Sequence, residues 1–442
     1  MTAHFHPSDQ LLSWGRVIRE PHLVARPRFT DEIDGLLSAF TADAPGLAVG
    51  LRRSYGDSNL NPDGRVIDMS GLDRLISLDL ETGIVRAEAG ASLSQLLQVL
   101  TPAGWFLPTT PGTRFVTLGG AIANDVHGKN HHVAGTFGNS VSRLKLRRTD
   151  GSGQELTPGD PLFHATVGGL GLTGLIEWVE FSAVRIPSTD IIGEDASFEH
   201  VSEYFALAAE KKDAFEHTMA WVDCSKGGSR LGRGIFSFAN WAPHGELKPH
   251  REEPRKRMPI DAPEFALNGL TVRAFNSIRH DLKSMNHGPY RQHYEPFLYP
   301  LDAIANWNKL YGASGFYQYQ CVLPPETALD GTIELLRTIV MSGQGSPLAV
   351  LKDFGDHAPV GLLSFPRPGT TLAVDFRNRG EDTLKLMAKL DQIVASAGGR
   401  LYPAKDGRIP AHLFQSMFPK LQDFRGYVDP GLSSAFWRRV SA

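Results

Sequence analysis

The chain has 442 residues, enough for two or three domains, and its 41% hydrophobic and 21% charged content excludes collagen-like, disordered and membrane-embedded classes. A net charge of −3 and a pI near 6.6 give no support to binding a polyanion, so no nucleic-acid partner is expected. Cys224 and Cys321 are too far apart for a CxxC or zinc spacing and are expected to be inert thiols.

The N-terminus carries His4, Pro7 and Asp9 where a secretory signal would place basic residues and then an apolar run. No stretch reaches the roughly 18 apolar residues of a membrane span. A cytoplasmic protein is expected, with peripheral membrane contact left open. From Gly46 to Gly174 the chain holds 21 of its 45 glycines. Glycine serves where φ is positive or something approaches the backbone closely, so this stretch is built around turns or a large ligand.

The first elements are short strands and turns. Ile76–Leu80 and Ile84–Ala89 alternate about Glu81-Thr-Gly83 and predict a hairpin. Ser92 caps a helical pattern with Leu93, Leu96, Leu97 and Leu100 on one face, closed by Pro102 and Gly104. A strand pair follows at Val141–Leu156, then a β-rich run at Leu175–Arg185. Pro187–Thr189 is a plausible boundary.

Beyond it, helices are predicted at Val201–Lys211, Thr332–Met341 and Asp382–Ala397, with strands at Phe316–Leu323 and Thr371–Phe376. That order suits an antiparallel sheet covered on one side by helices, and the whole chain reads as α+β. The polar stretch between Pro243 and Pro263 has few large apolar residues and is expected to be a mobile surface loop; a lid or membrane-facing loop is the sharper alternative.

Gly169-Leu-Gly171-Leu-Thr-Gly174 spells GxGxxG, but a strand-like sequence, LIEWVEFSAV, follows where a dinucleotide site needs a helix. It is therefore expected to be a turn. No P-loop pattern occurs. Two other segments carry more: Gly50-Leu-Arg-Arg-Ser54-Tyr55-Gly56-Asp57, and Pro111 to His132 with Thr117-Leu-Gly119-Gly120, Asn124-Asp125 and His127-Gly-Lys-Asn-His-His132. Runs of Gly, Ser and Thr expose amides that can cradle a pyrophosphate. His127, His131 and His132 have metal-like spacing without an accompanying carboxylate set, so no metal is expected.

These two segments resemble the FAD-linked oxidases of the vanillyl-alcohol oxidase superfamily. Together with GTFGN (135–139), ATVGGLGLTG (165–174), WNKLYGASGFYQYQCVLP (307–324), LSFPRPG (363–369), VDF (374–376) and GGRLYPAKDGR (398–408), they resemble its decaprenylphosphoryl-ribose 2'-oxidase branch over nearly the whole chain. The resemblance implies a two-domain fold, with an FAD-binding domain over residues 1–187 and an antiparallel-sheet substrate domain over 188–400. Residues 401–442 would return to the first domain.

It further implies noncovalent FAD held by Arg53, Ser54, Tyr55, Gly56, Asp57, Ser58, Gly112, Thr117, Leu118, Gly119, Gly120, Asn124, Asp125, His127, Ile176 and Tyr402. The reaction implied is removal of a hydride from the ribose C2 of a polyprenyl-phosphate sugar, completed to the arabinose epimer by an NADH-dependent 2-keto reductase partner. Lys405 and His127 are the implied catalytic residues, with Lys405 supplying a cation or positioning the substrate. Lys129, Tyr311, Gln318, Gln320 and Lys352 are the implied substrate contacts. Ala373 stands where mycobacterial members carry cysteine, so cysteine-directed inhibition is not expected to transfer. An oxidase of a free sugar or aldonolactone on the same fold, and an inactive flavin-fold subunit of a reductase complex, are the competing possibilities.

Overall fold

The computed structural model describes residues 4–285 and 288–442, without the side chain of residue 264. The chain forms a two-domain α+β fold on three principal sheets. The first holds β1 (His6–Ser8), β2 (His22–Ala25), β3 (Gly46–Val49) and β4 (Arg65–Asp68) in the order β1-β2-β4-β3, parallel except for β1. The second is antiparallel, with β5 (Leu75–Leu78), β6 (Ile84–Glu88), β7 (Val141–Arg147), β8 (Gly153–Leu156) and β9 (Leu175–Ser182) in the order β5-β6-β9-β7-β8. The predicted hairpin is β5–β6. The predicted helix is Leu93–Leu100, where Ser92 accepts from the Gln95 amide and Gln95 accepts from the Ser92 amide.

The third sheet is antiparallel and has eight strands: β10 (Asp190–Phe198), β11 (His217–Val222), β12 (Gly234–Trp241), β13 (Tyr290–His293), β14 (Phe316–Leu323), β15 (Ala349–Phe354), β16 (Gly369–Arg377) and β17 (Arg400–Leu401). Their order is β13-β10-β12-β11-β15-β16-β14-β17. Strand alternation sorts its two faces. Tyr319, Cys321, Leu351, Leu372 and Val374 point into a buried core shared with Val201–Lys211, Ala328–Ser342 and Glu381–Ser396. Gln318 lies opposite Asp375, Gln320 opposite Ala373 and Lys352 opposite Thr371, so these polar residues share the other face.

The last forty residues tie the first sheet to the rest. Gly46 donates to Gly431, Thr149 bonds Asp429, and Arg439 of the helix Ala435–Val440 reaches Asp57 and Asp406. Gly169–Gly174 is a turn leading into β9, with Gly171 at φ +74° and Gly174 at φ +157°. A dinucleotide helix does not start there, as the sequence predicts.

Two expectations change. The polar stretch 243–263 is not a loose loop throughout, because His250 is buried with its ring 2.8 Å from both Ser94 Oγ and Tyr294 Oη, and the Arg251 carbonyl accepts from Arg114. A polar ring with two polar partners can be buried where an apolar pattern would not reveal it. The second change is a sixteen-residue helix, Gly269–Ser284, that the core-seeking pattern did not mark because its large apolar residues other than Val272 face outward.

Candidate active site

The loop after β3 is shaped by close backbone packing. Gly56 lies so near the C-terminal segment that a Cβ there would sit 1.6 Å from the Asp406 carbonyl oxygen. Tyr55 and Asp57 donate to the carbonyls of Ala404 and Asp406, and the Asp57 carboxylate is clamped by Arg439 at 2.8 and 3.1 Å. This joins the loop to Lys405 within one turn of chain. A Gly56→Ala variant is expected to lose most of its flavin on purification, read from the 450 nm to 280 nm absorbance ratio, because only backbone could move aside.

Arg52, at φ +55°, and Asp125, at φ +41°, hold left-handed backbone without being glycine, one in each glycine-rich segment. Such strain gathers where a site dictates the backbone. The amides of Leu51, Arg52, Arg53 and Ser54 have no acceptor among the described residues, which leaves a row of donors for an anion. In the second segment the amides of Leu118, Gly119 and Gly120 are taken by Ala91, Ala89 and Thr117, so its loop geometry is fixed by the protein itself. Asp125 is fully buried, accepting from the Gly138 amide and from Ser364 Oγ. Burial pushes its pKa up to about 6. Asn124 presents its carbonyl to Tyr402 Oη at 3.0 Å. Arg53 stacks on Trp14 at 3.9 Å and donates to the Phe115 carbonyl. Ile176 is buried in β9 and Ser58 beside Asp57, whereas Gly112 has open space about it.

His127 sits at the meeting point of the two domains, its ring against Phe354, Phe365 and Tyr402. The Gln320 amide donates to its Nε2 at 3.2 Å and also reaches Thr371 Oγ1. Burial first, then Lys352 and His131, hold its pKa well below the usual histidine value, so the ring is neutral. Its proton then lies on Nδ1, which is buried and has no partner among the described residues. An orphaned donor of this kind fits a carbonyl-bearing cofactor. The neighbouring histidines diverge: His131 Nδ1 accepts from the Gly355 amide, and His132 Nε2 lies 2.8 Å from the Phe215 carbonyl.

Lys405 stands over the Tyr55 ring at 3.8 Å. Its pKa is pushed down to about 7 by burial, against the raising influence of Asp375. Asp375 accepts from Tyr311 Oη at 3.0 Å and from the Gln318 amide at 2.6 Å. Burial raises its pKa to about 6 although both bonds and Lys405 lower it. Tyr311 stacks on Phe316 at 4.2 Å, and Phe316 meets Tyr55 edge-on. Asp375 thus gathers three of the predicted residues, and the sequence showed it only as the middle of VDF.

Lys352 is buried and donates to the Gly128 carbonyl at 2.6 Å, and Lys129 donates to the Leu298 carbonyl at 2.8 Å. Burial lowers both pKa values, that of Lys129 to about 8. Each side-chain nitrogen retains further N–H donors beyond its backbone carbonyl and neither forms an ion pair among the described residues, which makes the cluster receptive to an anion.

A family model described as an FAD binding domain matches residues 21–157. Decaprenylphosphoryl-β-D-ribose oxidase of Mycolicibacterium smegmatis is 37% identical to the chain over 447 residues, covering 96% of this chain and 95% of that one. The chain belongs to the decaprenylphosphoryl-ribose oxidase family. A protein in the mprA 5' region of Streptomyces coelicolor is 31% identical over 78% of this chain and 97% of its own. L-Gulono-1,4-lactone dehydrogenase of Mycobacterium tuberculosis is 30% identical over 39% of this chain and 40% of its own. Like its family, the chain is an FAD-dependent oxidoreductase acting on a CH–OH group.

Within this decaprenylphosphoryl-ribose oxidase family member, Ala373 lies opposite Gln320 on the site-facing side of β16. Cys224 and Cys321 are buried, their thiols pushed up to about 12 mainly by burial. The wild-type holoprotein is therefore expected to resist maleimide labelling at pH 7.5. Ala373→Cys should take up one equivalent and lose activity as it does so, as followed by mass spectrometry and turnover.

Proposed function

We propose that this enzyme oxidises the C2 hydroxyl of a polyprenyl-phosphoryl-β-D-ribose to the 2-keto sugar. The observation that carries this is Lys405 over Tyr55, within electrostatic reach of the Asp375–Tyr311–Gln318 group, together with the Lys129 and Lys352 nitrogens that are bonded only to backbone carbonyls among the described residues. The first suits a hydroxyl under oxidation, and the second suits the phosphate of the sugar donor. The near full-length match to decaprenylphosphoryl-β-D-ribose oxidase supports the same substrate class.

FAD is held noncovalently by the amide row 51–54, the Thr117–Gly120 turn, Asn124, Asp125, His127 and Tyr402. When bound it supplies the hydride acceptor. His127 donates from Nδ1 to a carbonyl in the cradle. Protonated Lys405 would stabilise the alkoxide character of the substrate oxygen as the hydroxyl proton passes to solvent, and the negative charge that the acceptor would gain with the hydride, while Asp375 keeps the amine charged. Gln318 and Gln320 orient the sugar hydroxyls, and Phe354, Phe365 and Tyr402 keep water from the reacting carbon. The 2-keto product calls for a reduction to complete epimerisation, the work of a separate NADH-dependent reductase. The domains divide near residues 187 and 400, where chain passes between the sheets.

Anaerobic mixing of the oxidised holoprotein with farnesylphosphoryl ribose, free ribose, D-arabinono-1,4-lactone and L-gulono-1,4-lactone tests this. Flavin bleaching by the lipid-linked sugar alone is expected, and bleaching only by a free sugar or lactone refutes the substrate assignment. Flavin released into the supernatant by acid precipitation confirms noncovalent attachment.

A further inference from the structure

The helix Gly269–Ser284 is amphipathic in the reverse sense. Several of its polar residues face the protein: buried Asn276 donates to Asp223 Oδ1 at 2.9 Å and to the Ser346 carbonyl at 3.0 Å. Ser277 accepts from Arg233, Arg279 lies over the Trp221 ring, and Lys283 pairs with Asp195 at 2.7 Å. Apart from buried Val272, its large apolar residues face out. At about 100° per residue, Phe275, Ile278, Leu282 and Met285 fall within a sector of about 80° that contains no charged side chain. With Ile260 and Phe265 on the preceding segment, these six side chains are 51–75% exposed. Seven of the twenty exposed large apolar residues described, these six and Leu270, thus fall in one stretch of 26. Soluble surfaces rarely concentrate them so.

Charge names what covers this face. Arg255, Lys256 and Arg257 are all exposed and lead directly into Ile260, while the strand Lys256–Arg257 pairs with Ile304–Ala305, where Ile304 is again exposed. A basic run beside an uncharged apolar stripe matches the headgroup and acyl layers of an anionic bilayer. No helix of the described residues is long and apolar enough to cross a membrane, so contact would be in the plane of the surface. The inner side of the same segment points to the site, because Leu267 and Val272 line a cleft with Tyr311 and Asp375.

We propose that residues 255–285 form a docking element that lies on an anionic lipid surface and opens the site cleft toward it. The link to the cleft rests on the lipid-linked substrate assigned above; the surface contact itself does not. The test is co-sedimentation of the holoprotein with vesicles of equal parts phosphatidylglycerol and phosphatidylcholine, and with phosphatidylcholine alone. Binding to the anionic vesicles is expected, falling about tenfold in Ile278→Glu/Leu282→Glu. It should also fall, with less salt dependence, in Arg255→Gln/Lys256→Gln/Arg257→Gln. Both variants should keep their flavin absorbance, since the altered side chains are exposed. Wild-type protein that stays in the supernatant overturns the proposal. So does a concentration-dependent dimer by ultracentrifugation that Ile278→Glu/Leu282→Glu abolishes while vesicle binding is unchanged. Vesicle binding without flavin bleaching by farnesylphosphoryl ribose would sustain the docking element and refute the substrate.

Discussion

Lys405→Met is expected to reduce the rate of substrate-dependent flavin bleaching by about 10²–10³-fold, the usual cost of removing a charged group aimed at developing negative charge. Flavin content should be retained, which separates loss of chemistry from loss of cofactor. The pH profile carries a sign. Burial places the Lys405 pKa at about 7, with Asp375 raising it, so the charged amine predominates below that pH. Stopped-flow bleaching should therefore be fastest below pH 7 and fall as pH rises through it. Lys405→Arg, which stays charged, should flatten that limb. Asp375→Asn removes the raising influence and should move the fall to lower pH. A rate that climbs through pH 7 would instead make the neutral amine the active form.

Arg439→Ala should have the largest effect on stability. Its guanidinium contacts the Asp57 carboxylate at 2.8 and 3.1 Å and Asp406 at 3.0 Å, with both aspartates buried. Removing it leaves two buried carboxylates facing each other beside Gly56. Breaking a buried pair in this way costs about 3–5 kcal/mol. Equilibrium urea unfolding should show a loss of that size, and FAD fluorescence should appear at lower denaturant than in the wild type. An unchanged midpoint would mean that the C-terminal helix does not hold the cofactor loop.

The elements nearest this site were the most legible in the sequence. Tyr317-Gln-Tyr-Gln-Cys321 alternates in the middle of β14, from Phe316 to Leu323, and that alternation puts Gln318 and Gln320 on one face. Ser92 marks a helix start at the residue observed, where Gln95 completes the cap. What stayed hidden depends on contacts distant in sequence. Asp375 becomes a hub only when β16 pairs with β14, and Asp57 meets Arg439 across 382 positions of chain. The glycine-rich segments announced a cradle but not how it is divided. Free amides lie at 51–54, while those of Leu118–Gly120 are used by the protein. The helix Gly269–Ser284 escaped because an apolar periodicity is ordinarily read as a buried face, and here it faces solvent.

The central claim is oxidation at C2 of a lipid-linked ribose. Farnesylphosphoryl ribose deuterated at C2 should bleach the flavin several-fold more slowly than unlabelled substrate in anaerobic single-turnover mixing, and deuterium at C1, C3 or C5 should not. Equal rates for the C2-deuterated and unlabelled sugars, with slowing by a label at another carbon, would contradict the account.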